Sequence, residues 1–493
     1  MLLLGYDIGS SSVKAALVDG HSGKTLASTF YPKSELEISA PHQGWAEQSP
    51  ETWWSCIQAA TQELLANPDI DASAIGAIGI SYQMHGLVVV DKAGEVIRPS
   101  IIWCDSRAVE IGEQAFQEMG EAHCLSHFLN SPGNFTASKL KWVKENEPEQ
   151  YARIHKMMLP GDYIAYQLTG EIRTTISGLS EGILWDFEED TPAKALLAHY
   201  GIEESLLPEI VPTFGEQGRV SADAAQLLGI PAGIPVSYRA GDQPNNAFSL
   251  NVLNPGEIAA TAGTSGVVYG VSGTVKYDAQ SRVNSFAHVN HGEETRLGVL
   301  LCINGTGILN NWLRKNVGGG IDYVGMNQAA EQVAIGSDGL VVLPFGNGAE
   351  RVLGNRDFGS QVNGLDFNRH GQGHLFRAAQ EGIVYAFHYG MDIMEQMGIK
   401  PAVIRAGQAN MFLSPIFRQT LADVTQVPIE LYDTDGAVGA ARGAGVGAGF
   451  YPSPASAFER LELLERIEPQ TVHQAAQQDA YERWQTCLEN YLT

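Results

Sequence analysis

The chain has 493 residues, of which 44% are hydrophobic, 18% are charged and 54 are glycine. That length suits two domains with sizeable cores, and the glycine content suits many tight turns rather than disorder. With 31 Lys and Arg against 56 Asp and Glu, the formal charge is −25, which repels nucleic acid and anionic membranes. A bound polyphosphate would have to be held by backbone N–H groups, hydroxyls and a metal rather than by a general positive field.

In chain order, a strand is predicted over Leu2–Asp7, a turn at Gly9–Ser12, a strand over Val13–Val18 and a second turn at Asp19–Gly23. Ser49-Pro50-Glu51 then offers an N-cap, an N1 proline and a first-turn acid ahead of Trp53, Trp54, Ile57, Ala60 and Leu64 at helical spacing. Ile75–Ser81 and Leu87–Val90 read as buried strands. The second half repeats this logic. A strand and hairpin span Glu257–Tyr269, a long helix His374–Met397, a strand Ala402–Ala406, a helix Pro415–Val424, a strand Pro428–Leu431 and a small-residue helix Ala437–Gly449. Peripheral helices are predicted near Ala455–Leu464 and over Val472–Tyr491. Strands alternating with helices mean an α/β fold. No linker separates the halves, so the pattern places the boundary near Phe248, giving domains 1–247 and 248–493.

The five cysteines are scattered and form no C-x-x-C pair, which argues against a disulfide framework or a zinc site and for a reducing cytoplasm. No basic residue precedes Lys14 and no window reaches the ~18 apolar residues of a spanning helix, so neither secretion nor membrane insertion is expected. The sequons at Asn134 and Asn304 are accordingly read as chance.

The most informative internal feature is an echo between Asp7-Ile8-Gly9-Ser10-Ser11-Ser12-Val13 and Thr261-Ala262-Gly263-Thr264-Ser265-Gly266-Val267. Both place a glycine and hydroxyl residues at a hairpin between apolar strands, where N–H and O–H groups can converge on an anion. Other motifs fail on inspection. Gly23-Lys24-Thr25 lacks the first glycine of a P-loop, because that position is Val18. Gly443–Ala448 matches a dinucleotide fingerprint but lies inside a predicted helix, where it reads as close helix packing.

Gly5–Asp19 resembles the first phosphate motif of the actin, hexokinase and sugar kinase superfamily. Thr136-Ala137-Ser138-Lys139-Leu140-Lys141-Trp142, and Gly364-Leu365 followed by His374–Glu381, resemble the two signatures of the FGGY carbohydrate kinases, with Asn134 and Gln380 as departures. The resemblance implies two ribonuclease-H-like α/β domains around a deep cleft, an ATP-dependent kinase that uses Mg²⁺, and a ketose partner. It implies that Asp7 approaches the metal through water, that Gly9, Ser10 and Ser11 lie near the phosphates, and that Asp242 in Gly241-Asp242-Gln243 is the general base.

The Gln83-Met84-His85-Gly86 stretch resembles that of family members acting on xylulose, which places Gln83, Met84 and His85 on the sugar. Trp103 and Asp105 are expected beside them, with Gln243 next to the base. Gly263, Thr264 and Ser265 match the second phosphate motif, and Gly407 and Asn410 sit where the family has its adenosine loop. Kinases for sedoheptulose, ribulose or glycerol, an actin- or chaperone-like ATPase, and a homodimer are left open.

Overall fold

The structure is a computed structural model that describes residues 1–492. The first sheet is built from β1 (Leu2–Ile8), β2 (Val13–Asp19) and β3 (Thr25–Tyr31) as an antiparallel meander. β4 (Ile75–Tyr82) then pairs parallel to β1, and β5 (Val236–Gly241) parallel to β4, giving the order β5-β4-β1-β2-β3. After β5 the chain turns directly into helix α2 (Asp242–Ser249), in which the expected boundary near Phe248 falls.

The second sheet repeats this plan. β6 (Glu257–Ala262), β7 (Gly266–Ser272) and β9 (Leu297–Ile303) form the meander, and β10 (Val403–Gly407) and β11 (Ile429–Tyr432) add parallel strands beside β6. Edge strands β8 (Asn284–Ala287) and β12 (Leu463–Ile467) complete the order β8-β9-β7-β6-β10-β11-β12. Both sheets thus carry a 3-2-1-4-5 core, the ribonuclease-H-like arrangement.

Period-two alternation assigns each face of the first sheet its own cover. Leu2, Leu4, Tyr6 and Ile8 pack with Trp53, Ile57, Ala60 and Leu64 of helix α1 (Pro50–Leu65). Leu3, Ala16, Val18 and Ala77 pack instead with Ala437, Val438, Ala441 and Ala444 of helix α8 (Gly436–Gly447), which comes from the far end of the chain. Only glycine permits that approach. A Cβ on Gly5 would overlap the Ala437 carbonyl oxygen, and one on Gly79 that of Ala440. The contact is reciprocal, because a Cβ on Gly443 would stand 2.5 Å from the Tyr238 ring and one on Gly439 2.6 Å from Ser249 Cβ. The glycines of 443–448 are thus packing surface inside a helix.

Two expectations are corrected. The predicted helix over Ala455–Leu464 is a short 3-10 turn, Ala455–Phe458, followed by β12, which gains ladder partners along β11. The last helix, α9 (Thr471–Leu492), is not peripheral: Tyr481, Trp484 and Leu488 enter the core of the second sheet, and the Trp484 indole donates to the Val342 carbonyl at 3.1 Å. The remaining helices used below are α3 (Gly307–Asn316), α4 (Thr136–Asn146), α5 (Ile176–Glu181), α6 (Gln372–Gln396) and α7 (Pro415–Thr425).

Gly79→Ala places a methyl against the α8 backbone and is expected to destabilise the fold by about 1–3 kcal/mol, the usual cost of overpacking. Urea unfolding of the variant beside the wild type measures it, and an unchanged midpoint would show that the helix yields without cost.

Candidate active site

The chemistry gathers where the three parallel strands of the first sheet, β1, β4 and β5, end. Asp7 lies near the end of β1, and its Oδ1 accepts a hydrogen bond from Ser81 Oγ at 2.7 Å. A Cβ on Gly436 would stand 2.7 Å from the Asp7 carboxyl carbon, so the N-terminus of α8 is pressed against this acid. Burial raises the pKa of Asp7, and the neighbouring Asp435 adds to the rise against the pull of Lys14 and Ser81.

Asp242 opens α2 directly after β5, whose last residue, Gly241, is in register with Tyr82. Burial holds its carboxyl up to about 7, with the charge of Asp7 as the second cause. The Gln243 amide donates to Asp242 Oδ2 at 3.2 Å, so the residue expected next to the base does touch it. A carboxyl with a pKa near neutrality is suited to take a proton from a hydroxyl at working pH.

The two Gly-hydroxyl hairpins are tied back in the same way. The Ser10 and Ser11 carbonyls accept from the Gln48 amide (2.7 Å) and the Leu36 N–H (2.8 Å). In the second sheet the Gly263 and Thr264 carbonyls accept from Gly307 N–H (2.9 Å) and Ile308 N–H (3.1 Å) at the start of α3. With those carbonyls engaged, the turns are left to present donors, as an anion requires. Gly9 N–H closes its own turn on Ser12.

On the sugar side, Met84 is buried, and a Cβ on Gly241 would stand 2.6 Å from its Cγ. His85 adopts φ 62°, and its Nδ1 pairs with the Glu181 carbonyl at 2.9 Å. Burial, with Lys139 adding, drives its imidazole down to about 3, so the ring is neutral. With Nδ1 as the donor to that carbonyl, Nε2 is the acceptor. Trp103 is 53% exposed, and its indole N–H reaches Ser10 Oγ at 3.4 Å. Gln83 is buried beneath them, its amide donating to Gln48 Oε1 at 3.3 Å while its own Oε1 has no partner.

Asp105 does not fit the role expected of it. It is 0% exposed, and its carboxylate accepts from Ala46 N–H (2.6 Å) and from the Arg107 guanidinium (2.7 Å). Arg107 in turn pairs with Glu47 and lies 3.8 Å over the Trp45 ring. Facing a sugar would break this buried network, so Asp105 braces the loop that carries Trp103.

Beside the second hairpin lies a cavity of about 590 Å³, lined by Gly263, Thr264, Gly307, Asn310, Asn327 and Asn410 among others. Of the residues expected there, Gly263, Thr264 and Asn410 line it, whereas Ser265 and Gly407 stand outside its lining. Sequence reasoning missed the α3 contribution, although Asn304-Gly305-Thr306-Gly307 was visible as a glycine-rich stretch. It also missed the floor. Gln380, the odd polar residue of the second signature, is fully buried on α6, donates to Asn327 Oδ1 at 3.0 Å and accepts from Ser414 Oγ at 2.6 Å. Asn310 Oδ1 is buried without a partner, as a recognition group awaiting a ligand would be.

Glu181, also missed, ends α5 with its carboxyl buried beside the Tyr82 hydroxyl and 4.0 Å from His85 Nδ1. Burial, reinforced by Asp242 and Asp162, pushes its pKa well above the carboxylate range. Among the described residues no cluster of three or more His, Cys, Asp or Glu converges on a metal position. Asp7 and Asp242 supply carboxylates of the kind Mg²⁺ takes one or two at a time, its shell completed by water and phosphate oxygens. Among the described residues no helix is long and apolar enough to cross a membrane.

Half-buried acids at the ends of β1 and β5 and a cavity beside the second hairpin, on twinned ribonuclease-H-like sheets, are the layout of the actin-like phosphotransferases. Residues 2–249 match the N-terminal domain, and residues 258–448 the C-terminal domain, of the FGGY family of carbohydrate kinases. The chain belongs to that family and is an ATP-dependent carbohydrate kinase. It is 32% identical over 455 residues to the xylulose kinase of Klebsiella pneumoniae, covering 90% of this chain and 88% of that protein. To the xylulose kinase of Escherichia coli (strain K12) it is 30% identical over 482 residues, covering 96% and 94%. The crystal structure of xylulose kinase from Rhodospirillum rubrum has a TM-score of 0.90 at 27% identity and covers 100% of both chains.

Because a Cβ on Gly307 would overlap the Gly263 carbonyl, Gly307→Ala is expected to push the second hairpin out of place. The ATP KM should rise about tenfold or more with the sugar KM little changed. Equal KM values for ATP in variant and wild type would remove the hairpin from the nucleotide site.

Proposed function

We propose that the chain transfers the γ-phosphoryl group of ATP to the O5 hydroxyl of D-xylulose, forming xylulose 5-phosphate. Residues 1–247 hold the ketose and the base, and residues 248–493 most of the nucleotide. The observation that carries this reading is Asp242: a half-buried carboxyl held up to about 7, at the same end of the sheet as Asp7 and directly after Gly241, which packs on Met84. The substrate rests on the Gln83–Gly86 stretch together with the similarity to proteins named as xylulose kinases. The five free cysteines agree with a cytoplasmic setting.

In this mechanism Met84 supplies an apolar surface beneath the sugar carbons, His85 Nε2 accepts a sugar hydroxyl, and Trp103 covers the open side. Asp242 takes the proton of the O5 hydroxyl as that oxygen bonds to phosphorus and the bond to the ADP oxygen breaks. The hairpins at Gly9–Ser11 and Gly263–Ser265 donate to the phosphate oxygens, while Asp7, through water, is the residue that would hold Mg²⁺. When bound, that ion neutralises charge on the phosphates. Closing the halves excludes water that would otherwise accept the phosphoryl group.

Asp242→Ala is expected to lower kcat by about 10²–10⁴-fold, the contribution of a general base, while ketose binding stays measurable by calorimetry. Turnover at the wild-type level in this variant would sink the assignment. A coupled ADP-release assay over xylulose, ribulose, sedoheptulose, gluconate and glycerol should give its highest kcat/KM with xylulose. ATP consumption without any sugar would instead favour an actin-like ATPase.

The pH profile supplies an independent check. Asp242 must be ionised to act, and its pKa lies near 7. For kcat/KM on the ketose, activity should therefore fall about tenfold per pH unit below that value and level off above it. A profile still flat at about pH 5 would mean that the base is an ordinary carboxylate elsewhere.

A further inference from the structure

Lys139 lies on α4, inside the first family signature, and is 0% exposed. It makes no ion pair among the described residues: the nearby carboxylate of Asp105 is consumed by Arg107 and the Ala46 N–H. Its Nζ donates instead to two backbone carbonyls, of His85 at 2.8 Å and of Ile102 at 3.0 Å. An amine this deeply buried is costly to desolvate, and an apolar side chain of similar length would fill the space at less expense. Packing therefore does not account for it.

The two carbonyls belong to the two segments that face the sugar. One peptide follows His85 and the other precedes Trp103. His85 is moreover a non-glycine residue at φ 62°, a conformation that persists only where the surroundings over-determine it, and such strain concentrates at ligand sites. Two bonds hold it there: Nδ1 to the Glu181 carbonyl, and its own carbonyl to Lys139. Lys139 does not act alone on these loops. Thr136 Oγ1 donates to the Gly86 carbonyl at 3.4 Å, and the Asn134 amide donates to the Asp105 carbonyl. The start of α4 thus grips carbonyls 85, 86, 102 and 105 from one side.

We propose that Lys139 is a positioning residue for the sugar. By tying the His85 and Ile102 carbonyls to one nitrogen, it sets the spacing between the His85 imidazole and the Trp103 indole without touching the substrate. Burial holds its ammonium down to about 7. This does not disturb the arrangement, because a neutral amine still has two N–H groups for the two carbonyls.

The inference rests on the proposed sugar kinase reaction, and the experiment keeps the two apart. Wild type, Lys139→Met and Lys139→Gln are compared in one ADP-release assay, with KM for ketose and for ATP measured separately. Lys139→Met should raise the ketose KM about tenfold or more, as sub-ångström misplacement of binding groups does, and leave the ATP KM within about twofold. Lys139→Gln, whose amide keeps two N–H donors, should fall between the two and serves as the readout if the methionine variant does not fold.

The ¹⁵N signals of the His85 ring should show Nδ1 protonated in the wild type and a mixture of tautomers in the methionine variant. A ketose KM unchanged in both variants, or an ATP KM rising in step, overturns the positioning role. If the wild type prefers a different polyol, xylulose as the substrate fails and the KM split is read on that polyol.

Discussion

The arrangement depends on one steric constraint: helix α8 lies on the first sheet so closely that side chains are excluded from both surfaces at the crossing. Gly5 and Gly79 on the sheet meet Ala437 and Ala440 on the helix, and Gly443 meets Tyr238 in return. Because α8 begins at Gly436, this contact sets the helix N-terminus, and Asp435 just ahead of it, beside Asp7. The Asn245 amide of α2 donates to the Gly436 carbonyl at 2.9 Å, binding the helix that carries Asp242 into the same junction. The distances among the acids are therefore inherited from backbone packing rather than from long, adaptable side chains.

This explains how an acidic protein can run anionic chemistry. Asp7 and Asp242, half-buried, and Glu181, fully buried, lie near one another without a direct ion pair to Lys or Arg among the described residues, and desolvation raises the pKa of each. Mutual repulsion and desolvation keep protons on part of the cluster, which is the condition a base needs if it is to hold and release one near neutral pH. With net charge −25, long-range attraction for ATP is absent, and local donors at the two hairpins must do the binding. Both hairpins have their carbonyls bonded away, so the turns are left to offer N–H and hydroxyl groups to a phosphate.

The sequence made the fold legible wherever a signal was local. The Asp7–Val13 hairpin and its echo at Thr261–Val267 are contiguous, and their counterparts form equivalent turns in two sheets of one topology. The start of β12 fell inside a predicted helix because Leu463–Ile467 carries little alternation and becomes a strand through pairing with β11. Asp105 was placed at the sugar by the resemblance to the family, but its partner Ala46, and the Glu47 and Trp45 that hold its other partner Arg107, are distant in sequence and invisible to motif spacing. The cavity beside the second hairpin draws Asn310, Asn327 and Ser414 from separate helices, so no single stretch could announce it. Glu181 and the role of Lys139 likewise appear only once α4 and α5 are seen against the strand ends.

The edge strand β8 has a consequence of its own. Although it belongs to the second sheet, Ser285 exchanges hydrogen bonds with the Asn130 side chain, and Ala287 does so with Ser177 and Ser180 of α5. Phe286 reaches over to pack against the His85 ring. The halves are therefore stitched at this margin as well as at the α8 crossing. His85 is thereby held from both halves, its ring against Phe286 of the second sheet and its Nδ1 on the Glu181 carbonyl at the end of α5.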